Sequence, residues 1–421
     1  MIRWLRIAIF LMVIHGIAQV NRLVQVRTSS RASVAKIGMD SEDLGHPSST
    51  FTQMESEVLE SCNMALAEML ELKPQAGWVR RYFTTPEVAR SFLRVASVAN
   101  QSAWPTVGPT EHSQESATSR PIFAIVVLTG AHACLFDNFV SHLVRLQPLA
   151  TGSLVFPPLA VFPLDWEAFG WCKQIIENDE VHTSKIFALC VSPANNTKEL
   201  HKSDQPQVVF GDAAYRTAVW MKPMLLSMAL TVGDYSVLVT DVDIVYLRPP
   251  LVLNAARFRT LAAPMPASSL RGSIDKHVHI EVACEVDGNL ATANTGLIFS
   301  WAGSLPAIDQ WSTVLRMPPV MDDQAAFRRK VSASVDLAES VACLPRDNFK
   351  LRCSCGGQQC DDQVIAVHCT EVPNKTASLE ASSLWAAKYT NPSQCRYGVG
   401  PAWWKSHPKA AAAARFAVNT A

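Results

Sequence analysis

Short, continuous apolar runs recur along the chain, separated by segments in which apolar residues fall at helical spacing. Runs of this length without polar alternation are typical of strands buried on both faces of a parallel sheet. We predict strands at 123–128, at either 154–156 or 159–162, at 186–191, 237–240 and 364–367, and one that follows Gly296.

Helices are predicted between these strands. The spacing of apolar residues indicates helices near 54–72, 86–99, 165–176 and 210–228, one marked by Trp311 and Leu315, and one that begins near 322. Strands that alternate with helices of this length indicate βαβ units around a parallel sheet. The expected fold class is therefore α/β, with a Rossmann-like, mostly parallel sheet flanked by helices and an N-terminal helical preface.

Residues 1–26 predict a secretory signal peptide or a signal anchor. Arg3 and Arg6 precede an apolar run at 7–20, which is shorter than the roughly 20 residues that span a bilayer comfortably. In both cases the upstream positive charge places the rest of the chain in the lumen of the Golgi or the wider secretory pathway. We expect a stem, the helical preface and a linker at 27–120, and the main domain at 121–421.

Composition excludes several classes of protein. Of the 421 residues, 48% are hydrophobic and 18% are charged, which suits a globular core and does not suit a disordered chain. The 37 basic and 37 acidic side chains cancel, and the sequence has no dense Lys/Arg stripe. Nucleic acid is therefore not an expected partner.

Eleven cysteines are many for a cytosolic protein, whereas the lumen permits disulfides. The odd count leaves at least one cysteine unpaired within the chain if the others all pair. Cys353, Cys355, Cys360 and Cys369 lie close together in sequence, and zinc is an alternative there. Their spacing fits no zinc pattern, and disulfides suit the lumen better.

Two aspartates follow the predicted strand at 237–240. Alternation in an extended chain sends Asp241 and Asp243 to the same side, and burying two carboxylates together is costly unless a cation neutralises them. With no strong internal cation expected beside them, the natural partner is Mg²⁺ or Mn²⁺, whose open positions substrate phosphates fill. The alternative is an ordinary loop with two solvated acids.

Four more positions are candidates for the same site. Thr129 ends the first predicted strand and Lys222 precedes the 237–240 strand, so both can meet a ligand, although a turn residue and a solvated lysine are the alternatives. Gly296 lets the backbone approach a ligand closely. His368 follows the strand at 364–367 and is either a metal ligand or a structural histidine.

The segment Asp322-Asp323-Gln324 precedes a predicted helix. Aspartate is common at the first turn of a helix, where it caps free amide groups. Such a cap explains one aspartate and does not explain Gln324.

The order of these motifs resembles that of glycosyltransferase family 77, the nucleotide-diphospho-sugar transferases of plant and algal cell walls. The resemblance covers roughly residues 121–385 and is most specific at 241–249. It rests on Tyr215-Arg216, Trp220 to Pro223, Val237 to Pro249, Asn294-Thr295-Gly296, Asp323-Gln324, and His368 followed by Lys375. The segment from Cys369 to Pro373 departs from the family pattern.

This resemblance implies a GT-A fold, a catalytic domain at 121–421, a nucleotide-sugar donor, a glycan or glycoprotein acceptor, Mn²⁺ (or Mg²⁺), and retention of anomeric configuration. The implied metal ligands are Asp241, Asp243 and His368. The implied donor-binding residues are Thr129, Arg216, Lys222, Asp241, Asn294, Gly296 and Lys375, with Lys375 on the diphosphate. Asp323 and Gln324 would face the transferred sugar as catalytic residues.

Two other functions compete with this interpretation. A metal-dependent phosphatase or nuclease also needs clustered carboxylates, but two-metal sites require further acidic or histidine ligands, and the sequence has no second well-placed cluster. A non-catalytic luminal carbohydrate-binding protein would keep the fold and lose the metal ligands. The presence of Asp241, Asp243 and His368 together speaks against that alternative.

Treatment with an N-glycosidase should lower the apparent mass of the protein made in a eukaryotic host. Asn100, Asn195 and Asn374 lie in glycosylation tripeptides, and the chain is expected to be luminal. Electrophoresis and cell fractionation check this. A chain that carries no glycan and fractionates with the cytosol would contradict the targeting hypothesis.

Overall fold

The computed structural model describes the chain in segments, all of which lie in one unit at Leu72–Ala421. The described residues are 79–101, 122–148, 154–177, 186–194, 213–233, 235–250, 280–301, 304–312, 322–353, 355, 360, 362–370, 372 and 374–390. The predicted targeting segment, the stem, the linker and the helix near 54–72 lie outside these residues and stay predictions.

Strands are formed where short apolar runs predict them. The described strands are β1 (Ile122–Leu128), β2 (Leu159–Pro163), β3 (Ala188–Cys190), β4 (Ser236–Thr240), β5 (Ile244–Tyr246), β6 (Ile280–Cys284), β7 (Ala293–Ser300), β8 (Val341–Cys343), β9 (Phe349–Leu351) and β10 (Ala366–His368). Of the two alternatives for the second strand, the run at 159–162 forms it. Gly296 lies inside β7, and His368 is the last residue of β10, so neither flanks its strand as predicted.

Seven strands form the main sheet, in the order β3-β2-β1-β4-β7-β6-β8. The pairs β1–β2, β2–β3, β1–β4 and β6–β8 are parallel. Strand β7 is antiparallel to both β4 and β6. The sheet is therefore mostly parallel, and β4, which ends next to Asp241, lies at its centre.

The other three strands form a small sheet in the order β5-β10-β9. Strand β10 is antiparallel to β5 and parallel to β9. The register pairs His368 with Ile244. Because Ile244 directly follows Asp243, this pairing brings a residue from late in the chain beside the predicted metal site.

Helices flank the sheet, which confirms the α/β fold class. They are α1 (Val79–Tyr82), α2 (Thr85–Gln101), α3 (Ala133–Arg145), α4 (Trp166–Ile176), α5 (Ala213–Val232), α6 (Leu305–Ser312), α7 (Asp323–Ala333), α8 (Val335–Ser340) and α9 (Lys375–Ala381). Asp165 caps α4 by accepting from the Ala168 amide at 2.7 Å. None of the helices in the described part of the chain combines the length and apolar character needed to cross a membrane.

Helix α2, which the sequence predicts as part of a preface, packs on the main sheet. The Phe92 ring lies 5.7 Å from that of Phe123 in β1 and 5.5 Å from that of Phe162 in β2, centroid to centroid. Phe83, just before α2, meets Phe162 edge to face at 5.2 Å. All four rings are fully buried. The helix therefore shares one core with β1 and β2.

The described cysteines confirm the expectation of disulfides. Four bonds join Cys172 to Cys190, Cys284 to Cys343, Cys353 to Cys369, and Cys355 to Cys360. Cys134 is also disulfide-bonded. The four cysteines for which zinc was an alternative form two of these disulfides, so they do not make a zinc site.

Phe92→Ala should lower the free energy of unfolding by about 3–5 kcal/mol, because the large ring is fully buried between α2 and two strands. Arg90→Ala is the matched control, since Arg90 lies on the exposed side of the same helix and should change stability by about 0.5 kcal/mol at most. Urea denaturation measures both. Equal effects would show that α2 does not belong to the folded core.

Candidate active site

The turn between β4 and β5 carries both aspartates. Strand β4 ends immediately before Asp241, and β5 begins immediately after Asp243. The Asp241 amide donates to the Gly296 carbonyl at 2.8 Å, which attaches the turn to β7. Across the base of the turn, the Tyr246 hydroxyl donates to Thr240 Oγ1 at 3.0 Å. These two bonds fix the backbone from which the carboxylates project.

The small sheet brings His368 to these carboxylates. Its Nε2 lies 3.1 Å from Asp243 Oδ1 and 3.9 Å from Asp241 Oδ2. His368 and Asp243 are both buried, whereas the Asp241 side chain is 29% exposed. The structure therefore brings together the three residues that the sequence analysis named as metal ligands.

Two lysines pair with the aspartates. Lys222 Nζ, buried in α5, lies 2.7 Å from Asp241 Oδ1. The Lys375 ammonium, at the start of α9, pairs directly with Asp243 Oδ2. The expectation that no internal cation neutralises the carboxylates is therefore wrong. Lys222 and Lys375 supply that charge. A metal ion is therefore not needed to neutralise the aspartates, and the evidence for a metal site is the type and placement of its ligand atoms.

The ion pairs shift the acidity of the paired groups. Burial alone would raise the pKa of Asp243, but Lys375 and His368 lower it well below its ordinary value. Burial alone would lower the pKa of Lys222, but Asp241 and Asp323 raise it above its ordinary value. Both groups are therefore fully charged across the physiological range.

Asp323 lies on the far side of Lys222, with Oδ2 3.6 Å from the Lys222 Nζ. The Thr295 hydroxyl donates to the same oxygen at 2.7 Å, and the Trp311 ring nitrogen donates to the Asp323 carbonyl at 3.2 Å. Burial raises the pKa of Asp323 to about 6, although Lys222 and Thr295 oppose this shift. This carboxyl can therefore exchange a proton close to neutral pH.

The neighbours of Asp323 have separate places. Asp322, and not Asp323, caps α7 by accepting from the Ala325 amide at 2.6 Å. Gln324 is half-buried in the first turn of that helix. Arg216, also half-buried, precedes Lys222 by six residues of α5, roughly 9 Å along the helix axis. No contact between Arg216 and the aspartates is present among the described residues.

Asn294 and Gly296 shape the β7 side of the site. The Asn294 side chain accepts from the Gly296 amide at 2.9 Å, so it orders its own strand. A Cβ added at Gly296 would lie 2.7 Å from Asp241 Oδ2 and 2.8 Å from His368 Nε2. The glycine is therefore required because the aspartate and the histidine approach the backbone at this point.

His132 is a residue of the site that the sequence analysis missed. The buried Thr129 follows β1, and its hydroxyl lies 2.6 Å from His132 Nδ1. Burial lowers the pKa of His132 to about 3, helped by Lys375 and Lys222 and opposed by Asp243. The imidazole is therefore neutral and lies within electrostatic reach of the carboxylate and both lysines. Its position three residues after Thr129, in the turn at a strand end, was the available signal.

Asp241, Asp243 and His368 fit a divalent cation by their chemistry. Each offers one ligand atom, and these atoms lie within 4.8 Å of one another. His368 Nε2 faces the carboxylates, whereas Nδ1 is buried with no hydrogen-bond partner among the described groups. Carboxylate oxygens suit Mg²⁺ and Mn²⁺ alike, whereas an imidazole nitrogen is more typical of transition-metal sites than of Mg²⁺ sites.

Solved glycosyltransferase structures share a distant likeness with the chain. Mouse xyloside xylosyltransferase 1 aligns over 59% of this chain and 97% of its own, with 12% identity and a TM-score of 0.35. The galactosyltransferase LgtC, solved with donor and acceptor sugar analogs, aligns over 67% and 99%, with 10% identity and a TM-score of 0.35. GlyE from Streptococcus pneumoniae aligns over 68% and 63%, with 10% identity and a TM-score of 0.37.

The family of the protein is assigned from its sequence. No curated protein matches it significantly. Residues 159–378 match the sequence family described as nucleotide-diphospho-sugar transferase. The match covers just over half of the chain, from the start of β2 into α9, and includes both aspartates, both lysines and His368. The chain therefore belongs to the nucleotide-diphospho-sugar transferases and is a glycosyltransferase that uses a nucleotide-sugar donor.

Proposed function

We propose that the protein is a divalent-metal-dependent glycosyltransferase of family 77 that moves a sugar to a glycan or glycoprotein acceptor with retention of configuration. The observation that carries the metal dependence is the cluster of Asp241, Asp243 and His368, whose ligand atoms lie within 4.8 Å of one another. The family 77 assignment and retention are supported by the motif resemblance. The acceptor class follows from the same resemblance.

Donor binding is proposed to proceed by an exchange of partners. Lys375 and Asp241 are the more accessible members of the two ion pairs, with side chains 16% and 29% exposed. A diphosphate that enters beside Lys375 would draw the ammonium away from Asp243, and that carboxylate, with Asp241 and His368, would then be available to hold a divalent cation. Since each charge keeps an opposite partner, the exchange avoids the large cost of an unpaired buried charge.

Catalysis in this proposal is mainly electrostatic. A bound metal ion would stabilise the negative charge that develops on the leaving diphosphate. Lys375 contributes to the same stabilisation from the protein, and Lys222 does so while fixed between Asp241 and Asp323. The bond from the anomeric carbon to the diphosphate oxygen breaks, the acceptor hydroxyl oxygen bonds to that carbon, and the proton of the hydroxyl passes to the departing diphosphate. This scheme requires no protein nucleophile.

Asp323 and Gln324 are proposed to face the transferred sugar. Because the pKa of Asp323 is raised to about 6, its carboxyl can accept or donate a hydrogen bond to a sugar hydroxyl near neutral pH. Thr129, Arg216, Asn294 and Gly296 complete the proposed donor site. We further propose that the reaction takes place in the Golgi or the wider secretory lumen, which the N-terminal targeting pattern and the disulfides support.

Removal of divalent metal should abolish donor turnover. We expect a panel of nucleotide sugars, incubated with the protein and Mn²⁺, to reveal hydrolysis or transfer of at least one donor, and chelation should reduce that rate to background. Released nucleotide diphosphate is the measurement, and re-addition of Mn²⁺ should restore it. Full activity after exhaustive chelation would refute the metal dependence.

His368→Ala should weaken Mn²⁺ binding by about 100-fold or more, since loss of even an outer-shell partner of a metal ligand costs 10- to 100-fold. The electron paramagnetic resonance signal of free Mn²⁺ gives the dissociation constant. His142→Ala is the matched control, because His142 in α3 is also buried and its ring nitrogen Nε2 bonds to the Leu384 carbonyl at 2.9 Å, away from the aspartates. Equal Mn²⁺ affinity in the two variants would remove His368 from the ligand set.

Gly296→Ala should lower both Mn²⁺ affinity and turnover, because the new methyl group forces apart Asp241 and His368. Overpacking of this kind also costs about 1–3 kcal/mol of stability. Gly170→Ala is the control, since a Cβ at this exposed position of α4 meets nothing within 4 Å. The control should keep wild-type Mn²⁺ affinity, and its free energy of unfolding, measured by urea denaturation, should rise by about 0.5–1 kcal/mol. Unchanged Mn²⁺ affinity in Gly296→Ala would contradict the close-approach role of this glycine.

A further inference from the structure

Cys353 lies where the backbone next to His368 meets the end of α9. It follows β9, and its amide donates to the carbonyl of His368 at 3.3 Å. Its own carbonyl accepts from the Ser382 hydroxyl at 2.6 Å, at the end of α9, the helix that begins with Lys375. Its sulfur is bonded to Cys369. One buried residue therefore contacts the backbone of the histidine and the end of the lysine-bearing helix.

The backbone at this junction is held in an unfavourable conformation. Arg352 and Cys353 have φ angles of 70° and 54°, in the left-handed region that residues with a Cβ avoid. Such conformations persist when the surrounding structure fixes them. The disulfide and the two hydrogen bonds of the Cys353 backbone are among the described contacts that do so.

Cys369, at the other end of the disulfide, is connected to the aspartate turn. It directly follows His368 and is fully buried. Its amide donates to the carbonyl of Asp243 at 3.1 Å. The bond between the two sulfurs therefore joins a residue that contacts the His368 backbone to one that contacts the Asp243 backbone.

The geometry points to the Cys353–Cys369 disulfide as a positioning element that fixes His368 against Asp243 for cation binding. This inference rests on the cation site of the proposed function. Neither cysteine is a ligand, because both sulfurs are committed to the disulfide. The disulfide acts through the backbone on both sides of the ligand pair. Groups that orient metal ligands in this way affect affinity by about 10- to 100-fold.

A second disulfide separates this positioning role from general stabilisation. Cys284–Cys343 joins β6 to β8 at the edge of the main sheet and encloses a sequence separation of 59, compared with 16 for Cys353–Cys369. Longer loops lose more chain entropy on closure, so removal of Cys284–Cys343 should destabilise the protein at least as much. Its removal should leave the cation ligands in place.

The test compares two double variants of the full chain, Cys353→Ala with Cys369→Ala, and Cys284→Ala with Cys343→Ala. Thermal unfolding gives the stability of each, and the resonance signal of free Mn²⁺ gives the dissociation constant with Mn²⁺ alone as the probe. We expect the first variant to bind Mn²⁺ roughly tenfold more weakly or worse. The second should show an equal or larger loss of thermal stability with unchanged Mn²⁺ affinity.

A milder pair of variants covers the case in which the first double variant does not fold. Ser382→Ala removes the hydroxyl that donates to Cys353, and Ser340→Ala removes an equivalent hydroxyl that donates to the Leu337 carbonyl at 2.9 Å at the end of α8. We expect Ser382→Ala to weaken Mn²⁺ binding by about two- to tenfold, the range of one hydrogen bond, and Ser340→Ala to leave it unchanged.

The outcomes separate this inference from the proposed function. Two results would overturn the positioning role alone. In one, the Cys353/Cys369 variant binds Mn²⁺ as tightly as the wild type. In the other, both double variants lose the same amount of Mn²⁺ affinity. If the Cys353/Cys369 variant does not fold, wild-type Mn²⁺ affinity in Ser382→Ala would overturn the positioning role. A wild-type protein that binds no Mn²⁺ would overturn the cation site and the positioning role together.

Discussion

The pairing of β5 with β10 is the interaction on which the candidate site depends. It places His368 opposite Ile244, the residue after Asp243, and thereby brings an imidazole to a pair of carboxylates, of which Asp243 lies 125 residues earlier in the chain. Strand β4 supplies the other half of the arrangement, because its position at the centre of the main sheet sets where the aspartate turn begins. The two sheets meet at this turn, where the candidate site lies.

The charges of the site form two ion-paired groups, Lys375 with Asp243 and Lys222 with Asp241 and Asp323. His368 lies between Asp243 of the first group and Asp241 of the second. Each buried charge therefore has an opposite partner, which is the condition for keeping several charges in a protein interior. The same arrangement is compatible with the proposed binding of a metal ion and a diphosphate, because their opposite charges would give every group of the site a partner.

Local pattern was sufficient to predict most of the fold and part of the site. Apolar runs located β1, β2, β4 and β10, and the alternation of strands with helices gave the fold class. Asp241 and Asp243 were identified because both lie beside one strand end. The partners of these residues are long-range and have no local signal: Lys375 reaches Asp243 across 132 positions, and Gly296 is needed for space beside a histidine from another sheet. For the same reason the ion pairs of the two lysines with the aspartates are not predictable from the sequence. His132 is a different case, because its partner Thr129 lies only three residues away.

The position of β10 in the small sheet has a consequence for how the protein matures. This strand lies between β5 and β9, although both of its neighbours precede it in the chain. During synthesis β5 and β9 emerge before the strand that separates them, so they can adopt their final spacing only after residues 366–368 have been inserted. A growing or truncated polypeptide therefore has the aspartate turn but no histidine opposite it. The proposed cation site is therefore complete only after residues 366–368 have been synthesised, and any shorter chain lacks its third proposed ligand.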